Sequence, residues 1–69
     1  MSNSLGKVFV TGLIGLPVIA NGGQIGFCRD IAINTKNKKL AIIVLTHTNN
    51  VIEIDFDKVE LGSGILLVR

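Results

Sequence analysis

The stretch "NGGQIGFCRD", residues 21–30, holds three glycines in its first six positions and ends in Cys-Arg-Asp. A phosphate-binding loop needs glycines that open a helix, so that backbone N–H groups and the helix dipole face the anion. Here strand-forming residues follow the glycines, and no Lys-Ser or Lys-Thr pair comes after them. The triplet "NGG" is instead a hairpin signal, because Asn and Gly tolerate the positive φ of tight turns. The stretch therefore predicts a turn between two strands, with Gly22 and Gly23 in the turn and Gly26 at a bend or a close backbone approach.

The rest of the chain repeats the same pattern of short β-branched runs between turn signals, which is typical of an all-β protein. No run combines a capping box with a 3.6-residue period, so no helix of normal length is predicted. The predicted strands are "KVFV" (7–10), "PVIA" (17–20), "QIGFCRDIAIN" (24–34), "LAIIVL" (40–45), "VIEIDF" (51–56) and "ILLV" (65–68). The segment "DKVEL" (57–61) predicts a single helical or 3₁₀ turn. Since a small chain buries one face of each strand by curling its sheet, we expect a strongly bent β-barrel of about six strands.

Composition limits the class of protein. The 69 residues predict one domain over residues 5–69, preceded by a flexible N-terminal segment at 1–4. The single cysteine excludes an internal disulfide and favours a reducing compartment. The apolar N-terminal part lacks a basic start and is interrupted by Pro17, so neither a signal peptide nor a transmembrane segment is expected, and the predicted location is cytoplasmic.

The same totals argue against catalysis and against nucleic acid. A 48% apolar composition fills a core but leaves no room for a large pocket, so we expect no enzyme and no cofactor. One histidine and one cysteine cannot make a structural zinc site alone, so we expect no metal site. The net charge is only +2, and three Phe are the only aromatic residues apart from one His. Nucleic-acid binders usually cluster basic charge and offer stacking aromatics, so nucleic acid is not the expected partner.

Two strands, "LAIIVL" and "ILLV", are apolar on both faces. A strand of this kind needs cover from something besides its own barrel interior. Either another subunit or the N-terminal segment of the same chain provides that cover.

Three sets of polar side chains are weighed for chemistry. Cys28 as a nucleophile would need His47 as its base, but a free Cys is more often a small buried hydrophobe. Asp30 interrupts an apolar strand, and we interpret it as a structural acceptor of backbone N–H bonds at a bulge, with Arg29 nearby. Three lysines share one turn, which we interpret as a solvated loop that offers at most weak contacts to phosphate; they are Lys36, Lys38 and Lys39.

The order of signals over residues 12–68 resembles the PRC-barrel family. That family starts with Leu-x-Gly-x-x-Val, continues through a glycine turn and an apolar-Gly pair, and places an Asp before an alternating strand. The matching residues here are Leu13, Gly15, Val18, Gly22 or Gly23, Ile25, Gly26 and Asp30. The family's later Ile-Pro-aromatic-x-x-Val segment and closing Gly-Asp turn are matched in part by Ile54, Phe56, Val59 and Gly62. Asp55 and Ser63 stand where the family often has Pro and Asp, and Lys38 stands near a usual turn glycine.

The resemblance implies a small bent barrel that contacts proteins and does not catalyse. Its members include the cytoplasmic domain of the photosynthetic reaction-centre H subunit and stand-alone archaeal and bacterial proteins, some of which look like cell-division adaptors and several of which resemble homodimers. We therefore expect a homodimeric, non-enzymatic adaptor, acting in cell division or in the assembly of a membrane complex. A ribosome-maturation factor in the family leaves open an RNA- or ribosome-associated module, with the three lysines on phosphate.

The family pattern also resolves the phase of residues 24–34. It implies that Cys28 points inward and that a bulge near Asp30 shifts the alternation, which leaves Phe27 pointing outward. The expected contacts with a protein partner are Phe27, Ile42, Val44, Leu66 and Val68. The expected turn and structural residues are Gly15, Gly22, Gly23, Gly26, Asp30 and Gly62.

Overall fold

The structure is a computed structural model that describes residues 10–69. A 3₁₀ helix covers Val10–Leu13 and a second one covers Phe56–Lys58. The six strands are β1 (Pro17–Ala20), β2 (Gly23–Ile33), β3 (Leu40–Thr46), β4 (Val51–Asp55), β5 (Val59–Leu61) and β6 (Leu66–Val68). The prediction of an all-β protein is confirmed, and no α-helix occurs in the described range.

The hairpin between β1 and β2 is the turn that the glycine-rich stretch predicts. Asn21 and Gly22 have φ values of 54° and 80°, and Ala20 pairs with Gly23 across them. Two successive residues with positive φ are the mark of a two-residue type I′ hairpin loop, whose twist matches that of the flanking strands. Gly23 therefore begins β2 and does not lie in the turn itself.

A β-bulge near the middle of β2 confirms the expected shift of phase. Cys28 pairs with Val44 and Asp30 pairs with Ile43, so Arg29 is the extra residue. The Oδ1 atom of Asp30 accepts the backbone N–H of Ile31 at 2.8 Å, which confirms its structural role. Because one extra residue inverts the faces that follow it, the bulge lets Cys28 and Ile31 both face the inside of the sheet.

Gly26 allows β2 and β3 to approach closely. A Cβ atom placed there would overlap the carbonyl oxygen of Leu45 and lie 2.9 Å from the Cα atom of Thr46. Any other residue would push the two strands apart. The predicted close backbone approach is confirmed.

The strand order is β4-β3-β2-β1-β6-β5, with β1 and β6 parallel and all other neighbours antiparallel. In a flat sheet, β4 and β5 would lie about 24 Å apart, at about 4.8 Å per strand. Yet only the three residues Phe56–Lys58 join them, and the Cα atoms of Asp55 and Val59 are at most about 15 Å apart because each trans peptide spans about 3.8 Å. The sheet is therefore strongly curled.

The sheet is not closed into a barrel, so that part of the fold prediction is wrong. Within residues 10–69, no ladder joins β4 to β5. The chain leaves β4 through the second 3₁₀ helix, and β5 begins only after it and pairs with β6. The two edges meet at that helix and stay unpaired beyond it.

The count of six strands agrees with the prediction, but one member differs. Lys7–Phe9 of the expected first strand lie outside the described residues, as does the segment 1–4, and Val10 belongs to a 3₁₀ helix. Segment 57–61, predicted as a turn, ends the second 3₁₀ helix and then forms β5. Three residues with one buried side chain, Val59, are too short to show an alternation in the sequence.

The core is a single aliphatic cluster inside the curl. Its buried members are Leu13, Val18, Cys28, Ile42, Val44, Val59 and Leu66. Leu13 reaches it from the first 3₁₀ helix, and the others come from five of the strands. In the described range no polar or charged residue is buried, so apolar packing holds the interior together.

Candidate interaction surface

A row of apolar side chains crosses the outer face of three neighbouring strands. Phe27 pairs with Leu45, and Leu45 pairs with Val51. Cys28 and Val44, the strand neighbours of Phe27 and Leu45, lie in the core, so Phe27 and Leu45 face the opposite way. Val51 shares the face of Leu45, its cross-strand partner. Phe27 is 47% exposed, Leu45 37% and Val51 51%. We call Phe27, Leu45 and Val51 the outer row.

The outer row ends beside the turn that joins β3 to β4. The ring of His47 meets the ring of Phe27 edge-on, with 6.2 Å between the ring centroids. The turn is held by Thr46, whose Oγ1 accepts the backbone N–H of Asn50 at 3.1 Å. The outward orientation of Phe27 that the family resemblance implies agrees with its exposure, and a polar turn borders the apolar row.

Three of the expected contact residues are in the wrong place. Ile42, Val44 and Leu66 have zero exposure and form the centre of the core. Cys28 faces inside, and its pairing with Val44 places Val44 and, two residues along β3, Ile42 inside too. Leu66 lies inside because it pairs with the buried Val18. The prediction missed two outward residues, Leu45 and Val51. Following the cross-strand pairs from Phe27 to β3, and from there to β4, identifies both.

Val68, the remaining expected contact, lines a groove and is half-buried against the core. The groove has a volume of about 410 Å³ and lies between β4 and the end of the β5–β6 ladder. Its lining residues are Glu53, Ile54, Asp55, Lys58, Val68 and Arg69. It marks the seam where the curled sheet stays open.

A second pocket lies at the other end of β3. It has a volume of about 430 Å³ and is lined by Lys39, Leu40, Phe56 and Asp57. The Nζ atom of Lys39 is 3.4 Å from the Asp57 carboxylate, and both side chains are more than half exposed. An exposed ion pair of this kind contributes little to stability.

Two of the expected structural glycines, Gly15 and Gly62, lie in turns. Gly15 lies in the turn before β1, where its N–H donates to the carbonyl of Cys28 at 2.7 Å. Gly62 lies in the turn between β5 and β6, where its N–H donates to the carbonyl of Ile65 at 2.9 Å.

The structure does not bring Cys28 and His47 together. The Cys28 side chain is 1% exposed and packs inside the curl, whereas His47 touches Phe27 on the outer face of β2. Burial raises the pKa of the Cys28 thiol above its ordinary value, and the charge of Asp30 adds to this, partly offset by a backbone hydrogen bond at Asp30. A buried thiol with a raised pKa stays protonated and unreactive near neutral pH. Among residues 10–69, no three His, Cys, Asp or Glu side chains are grouped to hold a metal ion.

The lysine-rich turn lies apart from the outer row. Asn34 builds this turn, since its Oδ1 accepts the N–H of Lys36 at 2.9 Å. The turn precedes Leu40, whereas the outer row crosses β3 at Leu45, so about 17 Å of strand separates them at about 3.4 Å per residue. The lysine-rich turn and the ring of Phe27 therefore do not share one surface.

In the described part of the chain, no helix has the length and apolar character needed to cross a membrane. A scan against protein-family models finds none that matches the chain, and a search of curated proteins finds no match.

Proposed function

We propose that this protein is a non-enzymatic protein-interaction module of the PRC-barrel type, and that it self-associates through the outer row. The observation that carries the proposal is the exposure of Phe27, Leu45 and Val51 side by side on a sheet whose interior is already filled. Aromatic side chains that stand in such rows supply much of the binding energy of protein interfaces.

Three features support the PRC-barrel part of the proposal. The sequence resemblance spans residues 12–68, the bulge at Asp30 lies where the resemblance implies it, and the sheet curls until its two edge strands are joined by three residues. Lys38, near the family's usual turn glycine, has a φ of 62°, a conformation that glycine adopts most easily. We propose that the open curl is the barrel of the family with one seam unpaired.

Support for the interaction role comes from the chemistry of the row. Each residue in it is paired across strands with another member, so the exposed apolar area is continuous and not scattered. Burial of this area is worth about 25 cal/mol per Å². Each partner of a standard interface buries about 800 Å², and the exposed area of the outer row alone is smaller than this. We therefore expect a weak association that depends on protein concentration.

The test compares two apolar-to-polar variants by native mass measurement and sedimentation over a range of protein concentrations. Phe27→Ser should shift the protein toward the monomer. Ile33→Ser is the matched control, because Ile33 is 63% exposed and lies at the far end of β2, outside the outer row. A wild-type protein that is monomeric at all concentrations, or equal effects of the two variants, would contradict self-association through this row.

A further inference from the structure

β4 has a free edge whose backbone groups can be assigned. The N–H of Thr46 donates to the carbonyl of Asn50 at 2.8 Å, at the start of the β3–β4 hairpin. Hydrogen-bonded pairs alternate along an antiparallel ladder, so Val44–Ile52 and Ile42–Ile54 are the next ones. The backbone groups of Val51 and Glu53, and the N–H of Asp55, therefore point away from β3. In the described residues β4 has no other strand neighbour.

The free edge opens onto the seam groove. One wall of the groove is formed by Glu53, Ile54 and Asp55 of β4, and the opposite wall by Lys58, Val68 and Arg69. The second wall is already fastened, because the N–H of Arg69 donates to the carbonyl of Lys58 at 2.8 Å. The groove thus pairs an edge that needs hydrogen-bond partners with the space for a further strand.

The charges along this edge discriminate against a second copy of the chain. Antiparallel pairing of two β4 edges about a twofold axis at the middle of the strand places Glu53 directly opposite Glu53 of the other copy. Moving the axis one residue toward Asp55 places Glu53 opposite Asp55 twice. Like charges directly opposite each other destabilise a strand pair, so the register with the most hydrogen bonds, in which Glu53 faces Glu53, is disfavoured.

We propose that the β4 edge binds an extended segment of another protein, with basic side chains opposite Glu53 and Asp55. In the antiparallel orientation, the segment reads basic-apolar-basic-apolar-apolar. Its basic residues face Asp55 and Glu53 on the outer side, and its last residue lies beside Val51 and lengthens the outer row. Its second and fourth residues point inward over Ile54 and Ile52, and Ile52 is 39% exposed. Main-chain bonds supply affinity in strand addition, and alternate side chains supply specificity.

The probe is the acetylated and amidated peptide Lys-Val-Lys-Val-Val, added to ¹⁵N-labelled protein in an NMR titration. Amide shifts should concentrate on Val51, Glu53 and Asp55, and exchange of these amides with solvent should slow. The charge-reversed peptide Glu-Val-Glu-Val-Val should bind about fivefold more weakly or worse, from two cross-strand pairs that change sign.

Backbone methylation tests the pairing without altering the protein. An N-methyl group on the third residue of the peptide removes the N–H that faces Glu53, and should abolish the shifts at β4. The same group on the fourth residue points away from β4 and should leave them in place. In the protein, Glu53→Gln should weaken peptide binding. Glu60→Gln should not, because Glu60 lies on β5, where it pairs with Leu67 of β6 and not with the peptide.

Four results would overturn the proposal: no shifts at β4, equal binding of the two charge types, equal effects of the two methyl positions, or slow exchange of the Glu53 amide before peptide is added. The last result would mean that another part of the chain or a second copy already holds the edge. The titration is repeated on Phe27→Ser, so that loss of self-association and loss of strand binding are observed separately.

Discussion

Ile42 and Ile43 are neighbours of the same residue type on β3, and they lie on opposite faces of the sheet. Ile42 has zero exposure and lies at the centre of the core, whereas Ile43 is half-buried on the outer face beside the outer row. Because both residues are isoleucine, their hydrophobicity and β-propensity are the same. The difference teaches that two neighbouring residues of one type are buried to different extents because they lie on different faces of the sheet.

Truncating the two isoleucines should separate the faces most strongly. Ile42→Ala should lower the free energy of unfolding by about 3–4 kcal/mol, because it leaves a cavity in a filled core. Ile43→Ala should cost about 1 kcal/mol. Urea unfolding followed by far-UV circular dichroism measures both changes.

A chain of this size has only a few kcal/mol of stability, so Ile42→Ala can unfold it outright. Ile42→Val, with an expected loss of about 1 kcal/mol, keeps the comparison measurable. Equal losses for the same change at positions 42 and 43 would contradict the assignment of the two faces.

A second test concerns the close approach of the β2 and β3 backbones at Gly26. Gly26→Ala should cost about 2–3 kcal/mol, because the new Cβ overlaps the Leu45 carbonyl and the strands must separate. Gly23→Ala is the matched control on the same strand, since a Cβ there meets nothing within 4 Å. Thermal unfolding of the two variants gives the comparison, and a Gly26→Ala protein as stable as the control would mean that the strands are not in close contact.

The third test contrasts Cys28, on the inner face of β2, with Phe27, on its outer face. Because the folded pKa of Cys28 is raised, the unfolded chain loses the thiol proton first as pH increases. The contribution of the Cys28 thiol to the free energy of unfolding should therefore be fully present below about pH 8.5. It should fall above that pH, by at most about 1.4 kcal/mol per pH unit.

The measurement for Cys28 is the urea midpoint between pH 7 and pH 10. Cys28→Ala should be less stable throughout but should show a flatter pH dependence, whereas Phe27→Ala should keep the wild-type slope. The prediction fails if the slope survives in Cys28→Ala.

The smallest effect is expected in the turn that leads into β3, away from both faces. Lys38 has a φ of 62°, which costs about 1–2 kcal/mol for a residue with a Cβ, and glycine in the unfolded chain offsets part of this. Lys38→Gly should therefore stabilise the protein by about 0.5 kcal/mol. Lys36→Gly in the same turn should not stabilise it, and thermal unfolding that ranks the two variants the other way round would contradict the turn geometry.

Much of the fold could be predicted from local residue patterns. The hairpin at Asn21–Gly22, the bulge near Asp30 and the close approach at Gly26 all follow from residues whose conformational preferences act within a few positions. Among the expected contact residues, outward exposure could be predicted only at Phe27, where the family resemblance set the phase at Cys28. It was wrong at Ile42, Val44 and Leu66, since the two apolar faces of their strands look alike in the sequence.

The sequence by itself determined the all-β class and the turns, because both depend on backbone preferences within a few residues, and the family resemblance implied the outward direction of Phe27. Only the tertiary structure decided which isoleucine of β3 is buried, that Val59–Leu61 form a strand, and that the seam between β4 and β5 stays open. Those outcomes depend on how strands distant in the chain meet, and no residue carries that information in its local pattern.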